Sequence, residues 1–373
     1  MKSVTQILFV HLSLIVGLVC LTGGQCVSGT GMMGLPGMDG MDGTDGMDGM
    51  DGTDGSLRVY GNGSAGDKVV SSDENWNDDP TAPTNLQFSS LTIEDGVTLT
   101  VPSGMTIRVT GDVTNNGTLL VRTSADGGFA GLDGPGTSGD LSTVVIAPVA
   151  GLSTRAAQAG ELSDNTVFAL AGQGGEGISE FEARQVLTVG AVAGGGGAVG
   201  GDDTDGSTTS NFGSQGGGGV RILAMGTITN AMGAAMMADG GEGAGGGGGG
   251  GQIVLASMTA IVNDGDIMAR GGDGESSDSN EGPSGGGGGG IVHMLAPMVM
   301  SDGTVDVSGG SAGGTSTDVT SGTRQAGGGG GASGGDGGRG GNVPNGGSVT
   351  PEAAGDGQDG FGLVTELDPT SLL

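Results

Sequence analysis

Carboxylates are the one reactive side chain this sequence holds in quantity. Forty-two Asp and Glu stand against 11 Lys and Arg, for a formal net charge of −31. Asp264, Asp266, Arg270 and Asp273 crowd a single stretch. Acids that hold a divalent cation, beside a base that removes a proton, would suit a polysaccharide lyase or hydrolase built on a β-helix. The turn carrying Asp264 recurs with Asn116 or Asp302, as turn chemistry alone would produce, because Asx side chains bond their own backbone. Aromatic residues make up only 2% of the chain, which leaves little to stack on sugar rings. Asp264 and Asp302 occupy equivalent repeat positions, so on adjacent strands they would lie roughly 5 Å apart. Two carboxylates that close repel each other unless a cation or water lies between. They are the candidate Ca²⁺ ligands, and Ca²⁺ is the one cofactor the sequence suggests.

Other chemistries find less support. The chain has two histidines, and beyond the N-terminal segment only His293 remains. It aligns with Leu255 in a series read as facing the core, so a Ser-His-Asp relay or a zinc site lacks its parts. No G-x-x-x-x-G-K-[ST] loop occurs, which argues against a nucleotide phosphate site. Nucleic acid is excluded as a partner for want of clustered cations and of aromatic platforms.

The cysteines carry a different message. Lys2 precedes an apolar run from Ile7 to Leu21, the length of a secretory signal rather than of a membrane span. Cys20 and Cys26 lie at the end of that run and none follows, which rules out a disulfide framework for the folded part. Residues 1–26 are therefore expected to be an export signal, with either acylation at Cys26 or simple cleavage nearby. Removing them, and with them Lys2, takes the charge from −31 to −32. That acidity suits solubility outside the cell, or an affinity for divalent cations.

The elements that must position these groups are dominated by glycine, 91 residues of 373. So much glycine raises the entropy cost of ordering and offers nothing to bury, which argues against a conventional core. From Gly31 to Gly55 glycine falls at every third position, as a collagen triple helix requires. Pro36 is its only imino acid, and six aspartates from Asp39 to Asp54 would repel one another in a trimer. Residues 27–55 are thus a spacer, either a homotrimeric collagen-like stalk or an extended linker. Residues 56–90 read as an N-terminal cap that includes Trp76, residues 91–345 as repeats, and residues 346–373 as a C-terminal cap or tail.

Within 91–345 short runs of branched residues and Thr end in Asx-Gly or Ser-Gly turns, a pattern of strands with one buried face. Ile253-Val-Leu-Ala aligns with Ile291-Val-His-Met at an offset of 38, which carries Ile261 onto Val299 and Ile267 onto Val305. Offsets of 33 and 148 bring in Val220 to Asn230 and Ile107 to Gly117. Four copies are visible, and Val167 to Leu170 would be the strand of a degenerate fifth. A period made of strands without helices marks a solenoid. Polyglycine introduces the later units at Gly216–Gly219, Gly245–Gly251 and Gly285–Gly290, and Gly327–Gly331 follows the last. The expected fold is all-β: a glycine-rich parallel β-solenoid with its polyglycine tracts stacked as a layer on one side. Ile222, Leu255 and His293 should stand in register.

The glycine-rich units, the turn Thr114 to Thr118 and the polyglycine joints resemble repetitive surface or secreted (lipo)proteins of bacteria that carry a collagen-like lead. The polyglycine tracts are also similar to those of T-even phage tail-tip adhesins and of glycine-rich antifreeze proteins. The first resemblance implies a non-enzymatic, structural or adhesive protein at the cell surface or in the matrix. Its partners would be a surface polysaccharide or another cell, and it would touch membrane only through a lipid anchor. The alternatives are a β-helix enzyme acting on extracellular polysaccharide and a phage-tail-like receptor-binding adhesin.

Overall fold

The computed structural model describes residues 58–123, 153–164, 168–188, 193–198, 213–242, 245–279, 281–315, 318–320 and 323–373. The export signal, Cys26 and the Gly-X-Y segment lie outside the described residues. What is described is nearly all β. Three parallel six-stranded sheets form a three-sided solenoid of six rungs, each rung giving one strand to each sheet.

Rung one is β1 (Asp67–Val70), β2 (Glu74–Asn75) and β3 (Gln87–Phe88). Rung two is β4 (Ser90–Ile93), β5 (Thr98–Val101) and β6 (Met105–Val109). Two more strands, β7 (Val113–Asn115) and β8 (Thr118–Val121), open rung three, but a long excursion intervenes before its third strand. That excursion contains β9 (Leu162–Asp164) and a short helix, α1 (Glu180–Gln185). β10 (Gly219–Ala224) then closes rung three. Rung four is β11 (Ile228–Asn230), β12 (Ala235–Met237) and β13 (Gln252–Ser257). Rung five is β14 (Ile261–Asn263), β15 (Asp266–Met268) and β16 (Ile291–Ala296). Rung six is β17 (Val299–Ser301), β18 (Thr304–Asp306) and, after an excursion holding β19 (Thr323–Gln325), β20 (Phe361–Glu366). The solenoid therefore begins inside the stretch expected to be a cap and takes its last strand from the expected tail.

Two of the sheets show the period-2 pattern their sequences announce. β4, β5 and β8 alternate partly exposed and buried residues, with Leu91, Ile93, Leu99 and Leu119 filling the interior. The middle of the third sheet does not alternate: every residue of β13 and of β16 is buried. Its inner face carries Ile222, Leu255 and Met294 into the core, and its outer face is covered as well. Tyr60 and Leu187 pack there against Leu223, Val254 and Leu295, with Leu373 alongside. A strand buried on both faces reads as an unbroken apolar run, which is how Ile253 to Ala256 reads.

The register corrects one alignment. Ile222 pairs with Leu255 as expected, but Leu255 pairs with Met294, and His293 stands beside Val254 on the outer face. The offset between these strands is 39, falling back to 38 at Ile261 and Val299, because the corner between β16 and β17 is one residue shorter than its predecessor. A one-residue slip sends each side chain to the opposite face. His293 therefore leaves the interior series.

All the glycine-rich excursions leave at the same corner. In rung two the second strand meets the third through the tight turn Pro102 to Gly104. In rungs three to six that joint opens into residues 122–218, 238–251, 269–290 and 307–360. Apart from β9, α1 and β19, their described parts are mostly extended legs outside any sheet, and they pack as a bundle several legs deep where a single layer was expected. The leg from Gly245 to Gly251 shows the rule. Gly246 and Gly249 donate to Ala198 and Gly195; Gly247 and Gly250 donate to Gly285 and Gly288; Gly248 and Gly251 donate to Gly241 and Ala238. Residues i and i+3 thus address the same neighbour, which is the three-residue turn of a polyproline-II helix. Its carbonyls accept from three further legs, through Gly217, Gly272 and Gly331. One leg therefore has six neighbours, a hexagonal packing.

Only glycine permits it. A Cβ built on Gly248 would stand 1.9 Å from the carbonyl oxygen of Gln215. A polyproline-II leg makes no bonds within itself, so its buried amides must be satisfied across such contacts. The expected degenerate strand belongs to this bundle: Ala169 makes one antiparallel bridge with Val343, and Phe168 and Leu170 are exposed. It is not a rung.

Candidate functional site

The predicted acids are spread over two turns, a strand and a leg. Asp264 and Asp302 follow the first strand of rungs five and six, adjacent in the stack and both exposed. Their following glycines pack rung on rung, and a Cβ on Gly303 would stand 2.0 Å from the Gly265 carbonyl oxygen. Asp266 points outward from β15, and Asp273 accepts from the Ser311 amide at 2.7 Å. Arg270 turns toward the preceding excursion, giving Asp239 two hydrogen bonds of 2.7 and 3.2 Å. Asp306 lies 4.0 Å away on its other side. The hydrogen bonds it donates to Asp239 raise the Arg270 pKa above its already high value, which fixes it as a cation. Among the described residues no group of three or more His, Cys, Asp or Glu is placed to share a metal ion. The sequence cluster is thus distributed along one side of the solenoid and the first turn of a leg.

His293 is buried beneath α1. Its Nε2 lies 2.8 Å from the Thr365 hydroxyl, and Nδ1 has no partner. Burial, with a smaller contribution from the Arg184 charge, lowers its pKa to about 4. A neutral, enclosed imidazole with no acid beside it is a packing residue, held by the outer covering of the third sheet.

Inside the solenoid the polar feature is a column of amides. Asn115 donates to Asn230 at 2.9 Å, Asn230 to Asn263 at 2.8 Å, and Asn263 to the Ser301 hydroxyl at 3.1 Å. The second amide hydrogens of Asn115 and Asn230 reach the Ala235 and Asp266 carbonyls. The column tops out where Ile93 replaces Asn, leaving the Asn115 Oδ1 without a donor. The three asparagines hold the corner and face no solvent.

A concave surface open to a ligand lies on the bundle. Arg155, Gln173 and Glu176 come from the first excursion, and Asp336, Arg339 and Gln358 from the last. They border an open depression of about 370 Å³ whose floor is glycine backbone. Arg155 donates to the Gly174 carbonyl at 3.2 Å and lies 3.8 Å from Glu176. Arg339 lies 3.6 Å from Glu352, and Asp336 accepts from the Gly177 amide at 2.7 Å. Two guanidiniums thus flank a strip with balanced charge, in a chain that is otherwise strongly acidic. Each is about half exposed, so these ion pairs leave both free to take a better partner. Sequence reading missed the site because its two walls lie far apart in the chain and no local motif marks them.

No helix among the described residues is long and apolar enough to cross a membrane. No family model, no curated protein and no solved structure matches the chain.

Proposed function

We propose that this chain is an exported, non-catalytic surface or matrix protein that adheres to a carboxylated polysaccharide through its glycine bundle. The observation that carries the reading is the depression between Arg155 and Arg339. Guanidiniums bind carboxylates bidentately, and the neighbouring Gln and acid side chains offer donors and acceptors to sugar hydroxyls. The chain's net charge opposes an acidic polymer at long range, but physiological salt screens that field beyond about 8 Å. At contact the local guanidiniums decide. The stiff backbone bundle holds its rim groups in place without side-chain packing beneath them. The N-terminal segment would export the chain, with Cys26 as an acylation site and the Gly-X-Y run as a spacer.

The test pairs retention with turnover. Purified protein should be retained on immobilised polyuronate, and Arg155→Ala with Arg339→Ala should release it, while polymer length stays constant over prolonged incubation. Shortening of the polymer with release of unsaturated ends would establish a β-helix lyase instead. Palmitate labelling of the expressed chain should disappear in Cys26→Ala, and label that persists would remove acylation from that residue.

A further inference from the structure

The two ends of the solenoid are finished differently. At the first rung Trp76 and Phe88, with ring centroids 6.0 Å apart, close the interior, and Ala82 and Leu86 pack over it. At the last rung nothing among the described residues does the same. Val364 continues the interior column of Ile222, Leu255 and Met294, each at most 2% exposed, yet Val364 itself is 45% exposed. Val299 and Val305 are likewise only partly buried. β17, β18 and β20 are the outermost strands of their sheets, so each presents an unpaired row of amides and carbonyls. Met298 and Met300 are exposed beside them.

The rim fixes the chemistry of what would fit. Asp302, Glu366 and Asp368 border this end, with Asp306 4.0 Å from Arg270, and neither residues 297–306 nor residues 361–373 contain a Lys or Arg. Glu366 pairs in register with the interior residue Ala296, so its carboxylate borders the open core. A second copy would bring the same acids against themselves, and the six aspartates of residues 31–55 carry the same sign. We infer that the open sixth rung is a docking edge for an extended strand of another protein in which apolar residues alternate with Lys or Arg. Such a strand would add a further rung. Its backbone would pair with β20 or with β17 and β18, its apolar residues would cover Val364 or Val299 and Val305, and its cations would meet the rim acids. Acids on an edge also guard against indiscriminate pairing, which makes the edge selective.

The test uses the full chain and labelled peptides of about eight residues, the length of an ordinary strand. One alternates Val and Lys, a second is the same peptide N-methylated on alternate amides, and a third alternates Val and Glu. In about 0.15 M salt, the Val/Lys peptide should bind and slow hydrogen exchange at residues 299–306 and 361–366. N-methylation, or Val364→Lys in the protein, should each weaken binding at least ~10-fold. Val364→Lys is confirmed as folded by an unchanged far-ultraviolet spectrum, and Val69→Lys, at an exposed site on rung one at the opposite end, should leave binding unaltered. Equal binding of the N-methylated peptide would reduce the effect to charge attraction and overturn the proposal. So would protection elsewhere, tighter binding of the Val/Glu peptide, or a free chain that dimerises with the edge already protected. An edge protected in the free monomer and exposed on deleting residues 27–57 would assign it to the chain's own N-terminal segment, again overturning the proposal.

Discussion

The solenoid and the glycine bundle solve the same problem with opposite materials. In the solenoid, Leu99, Ile107, Leu255 and Ile267 are fully enclosed, and their area removed from water stabilises the rungs. The bundle has almost no side chains to bury, so its legs approach until backbone meets backbone, and hydrogen bonds between legs satisfy the enclosed amides. Such bonds contribute modestly each but are costly to leave unmade. The solenoid is therefore weakened by removing atoms and the bundle by adding them.

The largest effect should come from Leu255→Ala, which opens a cavity in the solenoid and costs about 2–5 kcal/mol. Denaturant unfolding would measure it, and a cost under about 1 kcal/mol would place the stabilising core elsewhere. Gly248→Val adds atoms where the Gln215 carbonyl already stands, with other legs on every side. About 3 kcal/mol is expected, the upper end for overpacking. A flexible loop would lose less than about 0.5 kcal/mol, so a small value would dissolve the contrast between the two regions.

A third measurement probes the covering that joins them. The folded His293 titrates at about 4, below its ordinary 6.5. Its contribution is full above pH 6.5 and is lost as pH falls toward 4, so near pH 5 the fold should have lost about 2 kcal/mol. His293→Gln should flatten that part of the stability profile, and a profile unchanged by the substitution would remove His293 as its source. Asn230→Ala breaks the amide column, leaving a buried Asn115 hydrogen and the Asn263 carbonyl short of partners, for about 1–3 kcal/mol. The smallest effect belongs to the exposed turn acids. Asp302→Asn relieves repulsion from Asp264 by less than about 0.5 kcal/mol, and any Ca²⁺-induced rise in melting temperature should shrink with it. A rise of several degrees that survives in the variant would move Ca²⁺ binding away from this pair.

Much of the fold was legible because both regions repeat. Branched residues at period 2 marked the strands, and the phase of polyglycine against them marked the legs. The register at His293 was misread because Ile253-Val-Leu-Ala and Ile291-Val-His-Met are buried throughout. A strand covered on both faces has no alternation to fix its phase, and the missing corner residue comes after it. Rung one escaped notice for a related reason: Glu74 and Asn75 form a strand by pairing with Leu99 and Thr100, with no propensity of their own. The depression beside Arg155 was invisible because its walls meet only once the legs have packed.

The hexagonal neighbourhood of Gly245–Gly251 also dictates an order of assembly. Its six partners come from every excursion, from Gly195 to Gly331. A rung needs only the rung before it as a template, so the solenoid can grow as the chain emerges. The leg cannot: its last partners are made after rung six has begun. Until then the amides of its neighbours Gly195, Ala198, Gly285 and Gly288, whose acceptors are Ala332, Gly329, Gly328 and Gly331, can bond only to water. Translation should thus run ahead of the closing of the bundle, and a nascent chain halted before Gly327 should carry finished rungs beside legs that still lack these last partners.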